Sequence, residues 1–374
     1  MSVENAYADK ELCEPLLAAI EQVIGSMPAP LLPLRIMEVC GTHTMSIFRH
    51  GIRSLLPQGI QLLSGPGCPV CVTPAAHIDL CLAAAKKERV ILASFGDLLR
   101  VPGSDGSLAD ARAAGCRVEI VYSPMDSLVL AQQNKDHEVV FPAIGFETTM
   151  PTIAATLLIA EKEQCHNFSV IALGKTMPAA LDLLFQDEAL QVDALLCPGH
   201  VSAIIGAAAY HPLVNEYNLA CAVAGFEPAD ILAGLLSLAR QRLEGKARVE
   251  NCYPRAVSTN GNRRAQDLMT EVFAPVDSLW RGLGVIVGSG LELRKKYANF
   301  DAIEKLELQV AEAKEPKGCR CGQILKGILE PPACPLFGKQ CRPLHPVGPC
   351  MVSTEGTCAA FFRYGDDVAA LKAL

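Results

Sequence analysis

Positive charge is scarce in this chain. Its 33 Lys and Arg face 40 Asp and Glu, a formal charge of −7. That balance leaves no basic footprint for phosphates, so a nucleic-acid partner is not expected. Long apolar runs are scarce too. Segments such as Ile153 to Ala160 fall far short of the roughly 20 residues that cross a bilayer. Met1 to Lys10 is polar and of mixed sign, without the basic-then-apolar order of a signal peptide. No membrane role is expected, and the expected compartment is the cytoplasm. The glycine-rich turns match neither the dinucleotide nor the P-loop spacing, so no nucleotide site is expected.

Cysteine, by contrast, is plentiful, with 16 in 374 residues. Structural disulfides are rare in reducing cytosol, so dense thiols there point to metal or catalysis. Cys81, Cys116, Cys165, Cys221 and Cys252 lie scattered among apolar neighbours and read as small core residues. Half of the chain is hydrophobic and a fifth is charged, which supplies ample core for two or three domains.

Short apolar runs alternate with helical stretches. The expected strands are 34–39, 60–64, 90–94 and 118–122, then 139–144, 169–173, 194–197 and 220–224. Helical patterns include 151–162, 178–185 and 228–243. Continuous apolar strands alternating with helices imply parallel sheets buried on both faces. The expected class is α/β, with two units of about four strands each, joined near Pro124 to Gln133. A weaker strand is expected at 283–287. Gly- and Pro-rich turns follow the strands, as in Gly65-Pro66-Gly67, Gly145-Phe146-Glu147 and Gly225-Phe226-Glu227. Loops at carboxyl ends of strands face the ligand crevice of open α/β sheets, so the two units are expected to face one cleft. Beyond Tyr297 the composition shifts. Asp301 to Lys314 reads as a charged helix-like stretch, and 316–349 is rich in Pro, Gly and Cys. That last stretch has too little apolar material to fold alone, and metal binding would supply the missing stability.

Three thiol groups carry the chemistry. Cys319, Cys321, Cys334, Cys341, Cys350 and Cys358 crowd the tail. Cys321, Cys334, Cys341 and Cys358, with twelve, six and sixteen residues between them, are chosen as ligands. Four thiolates suit a 4Fe–4S cluster or a tetrahedral zinc, and the spacing lacks the Cys-x-x-Cys knuckles of structural zinc. The expected domains are therefore 1–125, carrying Cys40 and the Cys68/Cys71 pair, 126–298, and a small loop- and helix-rich iron–sulfur domain at 299–374. Cys68-Pro69-Val70-Cys71 is a Cys-x-x-Cys pair ahead of a helix, an arrangement that lowers one thiol's pKa and suits redox exchange. Half of a zinc site is the other reading. Cys40 ends the first strand in Cys40-Gly41-Thr42-His43. Packing is its ordinary role, but at a cleft it can serve as nucleophile or metal ligand, with His43 as second ligand, base or hydrogen-bond donor. Glu147, His200, Glu227, Asp97 and Arg100 read first as caps or surface groups.

Together these segments resemble the HypD family of nickel–iron hydrogenase maturation factors. The resemblance is carried by Cys40-Gly41-Thr42-His43-Thr44, Gly65 to Cys71, Phe95-Gly96-Asp97, Gly145-Phe146-Glu147-Thr148-Thr149 and Pro198-Gly199-His200-Val201-Ser202. Trp280-Arg281-Gly282-Leu283-Gly284, Cys334-Pro335-Leu336-Phe337-Gly338 and Glu355-Gly356-Thr357-Cys358-Ala359 extend it. It implies an assembly scaffold rather than a conventional turnover enzyme. With the partner HypC, such a scaffold holds the iron on which the Fe(CN)2CO group is built. The HypE–HypF pair supplies cyanide, and the product passes through HypC to the hydrogenase large subunit. On this chain the resemblance implies Cys40 as iron ligand and Cys68 and Cys71 as the redox dithiol. It implies Cys321, Cys334, Cys341 and Cys358 as ligands of a 4Fe–4S cluster. His43 would tune the iron and Glu355 would move protons. Cys319 and Cys350 fall outside the expected ligand set. The rival readings are an iron–sulfur thiol oxidoreductase acting on a protein disulfide, which needs no Cys40, and a zinc-stapled binding protein.

Overall fold

The apolar runs pair as strands in a computed structural model, which describes residues 10–187 and 190–365. The strands are β1 (Leu34–Glu38), β2 (Ile60–Ser64), β3 (Val90–Ser94), β4 (Val118–Ile120), β5 (Glu138–Ala143), β6 (Phe168–Ala172), β7 (Gly174–Lys175), β8 (Ala194–Pro198), β9 (Ala220–Ala224), β10 (Val249–Asn251), β11 (Phe273–Trp280) and β12 (Gly284–Leu293). The first sheet has the order β10-β9-β8-β1-β2 and the second β4-β3-β5-β6. Every pairing within these two sheets is parallel. The α/β class with parallel sheets is therefore as expected.

The division of strands between the sheets is not. The expected boundary at 125/126 cuts through the second sheet, which takes β3 and β4 from one side and β5 and β6 from the other. The first sheet is completed by β8, β9 and β10 from far along the chain. Ile36 of β1 pairs with Leu62 on one side and with Ala194 on the other. The 124–133 segment is not a junction between units but a helix crossing from β4 to β5. Its Ser123/Asp126 capping box and Pro124 at the first turn fix its start.

Helices cover both sheets. Lys10–Gly25 and Pro228–Glu244 pack together on one face of the first sheet, around Ile20, Leu34, Ile36, Leu196 and Leu235. Met150–Lys162 and Pro124–Gln133 cover the second sheet around Phe141, Leu157 and Phe168. A third core lies between the sheets and takes in Met37, Leu92, Val140, Ile171 and Trp280. The tail does not build a separate core. Cys334, Phe337, Cys341, Cys350 and Phe361 belong to this same central core, and the ring of Phe361 meets Phe48 at 4.5 Å.

Two further expectations are corrected. The weak strand at 283–287 is part of a long antiparallel hairpin, β11 with β12, and β7 pairs along its other edge. Asp301 to Lys314 forms only the short helix Ala302–Lys305. Glu307 takes a left-handed backbone, φ 49°, which is costly for a non-glycine residue and ends the helix. Lys305 meanwhile reaches back to Glu138 and the carbonyl of His166. Among the described residues no helix is long and apolar enough to cross a membrane.

Candidate functional site

The strand orders fix where a site forms. In the first sheet the order reverses between β1 and β8, and in the second between β3 and β5. Loops that leave such switch points diverge and open a crevice. Here loops from both switch points line a single pocket of about 240 Å³. Cys40 and Thr42 follow β1, His200 follows β8, Asp97 follows β3, and Phe146 and Thr148 follow β5. The Cys68 loop after β2 and Glu355 from the tail close the ring.

Cys40 is 7% exposed and caps the helix Gly41–Arg49. Its N–H donates to Oε2 of Glu38 at 3.2 Å, and Oε1 of Glu38 accepts the Thr44 hydroxyl at 2.6 Å. The buried Glu38 carboxyl thus ties the end of β1 to the first turn of that helix. Burial pushes Glu38 up to about 7 and the Cys40 thiol up to about 12. Backbone N–H groups of His43 and Thr42 pull the thiol down, while Glu355 and Glu38 push it further up. The net result is a thiol that stays neutral until a bound metal displaces its proton.

Cys68 and Cys71 are joined as a disulfide. Cys71 N–H also donates to Sγ of Cys68 at 3.2 Å. The pair is pressed against Cys40 because Gly67 has no side chain. A Cβ there would sit 2.3 Å from the Cys40 nitrogen, and the Gly67 carbonyl accepts the Gly41 N–H at 3.0 Å. Cys68 of the expected dithiol and Cys40, the expected iron ligand, therefore both line the pocket, with the Gly67 backbone against Cys40.

His43 and Glu355 have different surroundings. Glu355 lines the pocket, and its Oε1 accepts the Thr42 hydroxyl at 2.8 Å. His43 is fully buried and turns to the far side of its helix, where Nε2–H donates to the Gly225 carbonyl at 2.8 Å. Its ring lies 4.8 Å from Phe226, which stacks at 3.9 Å on His200. Burial pulls His43 down to about 4, so it is neutral at physiological pH. Through Phe226 its ring connects to His200, which lines the pocket.

All six tail cysteines line one small cavity, walled otherwise by Ile324, Leu336, Phe337, Gly348 and Met351. Cys319 and Cys350 share it with the four chosen ligands. Among the described residues no three His, Cys, Asp or Glu side chains converge on a single ion position.

The family model described as HypD, hydrogenase formation hypA family, matches residues 11–365. The chain is 43% identical to the hydrogenase maturation factor HypD of Rhodobacter capsulatus over 98% of both chains. It is 46% identical to the protein of that name from Escherichia coli K12, over 89% of both. Against the Azotobacter vinelandii protein it is 45% identical over 91% of this chain and 92% of that one. The chain belongs to the HypD family. The HypD match spans the pocket, the disulfide and the tail cavity together.

Within this HypD chain several pocket residues carry more than their sequence signal suggests. Asp97, read first as a cap, lines the pocket, and burial together with the neighbouring Glu355 pushes its carboxyl up. Glu38 is an acid inside the apolar run Ile36-Met37-Glu38-Val39-Cys40, and that oddity is the signal that marks it. The two Gly-Phe-Glu turns follow β5 and β9, one in each sheet. Phe146 enters the pocket wall, while Phe226 carries the two histidine rings.

Proposed function

We propose that this chain is a hydrogenase maturation scaffold which, with HypC, holds the iron on which the Fe(CN)2CO group of nickel–iron hydrogenase is assembled. The observation that carries the proposal is the buried Cys40 thiol standing beside the Cys68–Cys71 disulfide at a pocket built from both switch points. Cyanide would come from the HypE–HypF pair, and the finished group would leave through HypC to the hydrogenase large subunit. The names of the relatives support the maturation role.

The residues divide the work. Cys40 would bind the iron as thiolate, a soft donor suited to iron with diatomic ligands. Its proton leaves as the metal enters, and Glu355 and Asp97 are the pocket carboxyls placed to take it. Thr42 holds Glu355 in place for that task. Cys68 and Cys71 would cycle between disulfide and two thiols, taking up two electrons and two protons. His43, buried and neutral, would act on the pocket only by fixing Phe226 and His200.

Cys321, Cys334, Cys341 and Cys358 would hold a 4Fe–4S cluster. Their fit is chemical: thiols of a soft donor set ring an apolar cavity. When bound, the cluster supplies one-electron transfers. Cys319 and Cys350 lie in the same cavity and are proposed as neighbours, not ligands.

Infrared spectroscopy on the chain purified anaerobically with HypC, as wild type and as Cys40→Ala, tests the proposal. Cyanide and carbonyl stretching bands that vanish in the variant support it. A cluster-bearing wild type without such bands favours a thiol oxidoreductase that uses the Cys68–Cys71 pair on a protein disulfide. A chain that binds zinc and shows no visible iron–sulfur absorbance rejects both.

A further inference from the structure

Arg281 occupies the turn between β11 and β12 and is 2% exposed. Burying a guanidinium is costly unless its donors are paired, so the partners of this one bear directly on what it does. Its backbone N–H donates to the Val72 carbonyl and its Nε–H to the Thr73 carbonyl, each at 2.8 Å. Both carbonyls lie immediately after Cys71. Nη1 stands 3.1 Å from Oε2 of Glu315, whose Oε1 accepts the Ala75 N–H at 3.1 Å. That approach is an ion pair without hydrogen-bond geometry. Among the described residues neither Nη1 nor Nη2 has a hydrogen-bond partner.

The same turn is pressed against the start of the tail. A Cβ on Gly282 would fall 2.3 Å from the Cα of Gly322, the residue after Cys321. The Pro349–Met351 turn, which carries Cys350, packs on the Pro69–Val72 helix, which carries Cys71. One buried cation is therefore tied to the disulfide loop by two hydrogen bonds, in a turn packed against the residue that follows Cys321 of the tail cavity.

We propose that Arg281 is a positioning and charge-compensating residue that fixes the Cys68–Cys71 loop to the tail cysteine cavity and uses its uncommitted Nη groups to stabilise negative charge there. The inference rests on reading the tail as an iron–sulfur site. Reduction of thiolate-bound iron adds one negative charge. A buried cation at short range makes that addition easier, because net charge and nearby donors set the potential in a low-dielectric site. Glu315 works in the opposite sense, since its carboxylate neutralises part of the guanidinium charge. It is half exposed, so it tolerates substitution.

The test is a redox titration of the anaerobically purified full chain, followed by visible absorbance and electron paramagnetic resonance. Wild type is compared with Arg281→Gln, Arg281→Lys and Glu315→Gln. Arg281→Gln is expected to cut the reduced-to-oxidised ratio at the wild-type midpoint about tenfold, a shift of about 59 mV downward for one electron. Arg281→Lys keeps the charge and is expected to recover most of the ratio. Glu315→Gln is expected to shift the midpoint upward. A merely structural role would move Arg281→Gln and Glu315→Gln the same way, or neither of them, and either result overturns the inference. If Arg281→Gln does not fold, an upward shift in Glu315→Gln supports the inference and an unmoved or lowered midpoint overturns it. Absence of iron–sulfur absorbance in wild type overturns the reading of the tail and the inference with it. An iron-loaded wild type with unmoved variants overturns the inference alone.

Discussion

Gly67→Ala probes the closest approach in the site. The added Cβ would lie 2.3 Å from the nitrogen of Cys40, 2.5 Å from its Cα and 2.6 Å from the carbonyl carbon of Val39. All three are backbone atoms of Val39 and Cys40, between β1 and the helix Gly41–Arg49, so no side-chain rotation relieves the clash. Overpacking typically costs about 1–3 kcal/mol, and a backbone clash belongs at about 3 kcal/mol. With 374 residues and roughly 2.1 cal/mol/K of unfolding entropy per residue, that cost lowers Tm by about 4 °C. The loop must also withdraw from Cys40, which loosens the Gly67 carbonyl bond to the Gly41 N–H and opens the thiol to reagents. The assay pairs a thermal melt with the rate of Cys40 alkylation under native conditions. In the Ala variant the melt should fall and the alkylation rate should rise. A variant with wild-type Tm and wild-type alkylation would refute the close approach of the two thiol segments.

Four further substitutions test separate parts of the molecule. Thr42→Val removes the hydroxyl that donates to Glu355 at 2.8 Å and should cost about 1.5 kcal/mol in urea unfolding; an unchanged midpoint would show that the bond contributes nothing. Burial pushes Glu147 from its ordinary 4.5 up to about 7, so the folded state holds that proton more tightly than the unfolded chain does. Stability from this group is therefore complete below pH 4.5 and declines as pH rises toward 7. Glu147→Gln removes that decline, keeps an acceptor for the Met177 N–H, and should gain about 2 kcal/mol at pH 8 with little gain at pH 4. An equal effect at both pH values would count against a raised carboxyl. Finally, Cys334→Ser should abolish iron–sulfur absorbance and most bound iron, while Cys350→Ser should retain both; loss of most iron in Cys350→Ser would break the proposed ligand set.

Much of the architecture was legible because it is written locally. Val90 to Ser94 and Ala220 to Ala224 are buried at every position, and such strands read as unbroken apolar runs. Helix starts carry proline or a capping box, as at Pro124 and Pro228. Sheet membership is not written locally. Nothing in Leu34 to Glu38 says that its second neighbour is a strand some 160 residues away. The β11–β12 hairpin escaped because Pro275 and Asp277 interrupt one strand and Gly284, Gly288 and Gly290 the other, residues that ordinarily argue against a strand. At the site, Cys40, the Cys68 and Cys71 pair and the tail thiols announce themselves by type and spacing. The orientation of His43 does not, since it depends on Gly225 and Phe226 arriving from β9.

The adjacency of the reactive thiols follows from pairing rather than from the motifs themselves. β1 and β2 are parallel neighbours in register, Glu38 opposite Ser64, and neighbouring strands lie about 4.8 Å apart. Cys40 comes two residues after the end of one strand and Cys68 four after the end of the other. Each side chain therefore emerges at the same edge of the same sheet, and Gly67 lets the two loops touch. The tail then reaches this edge twice, with Glu355 against Thr42 and with the Cys350 turn against the Cys71 helix. A one-residue slip of β2 against β1 would turn its side chains to the opposite face and carry Cys68 away from Cys40. The register of two ordinary apolar strands is thus what converts a Cys-x-x-Cys pair and a lone cysteine into one site.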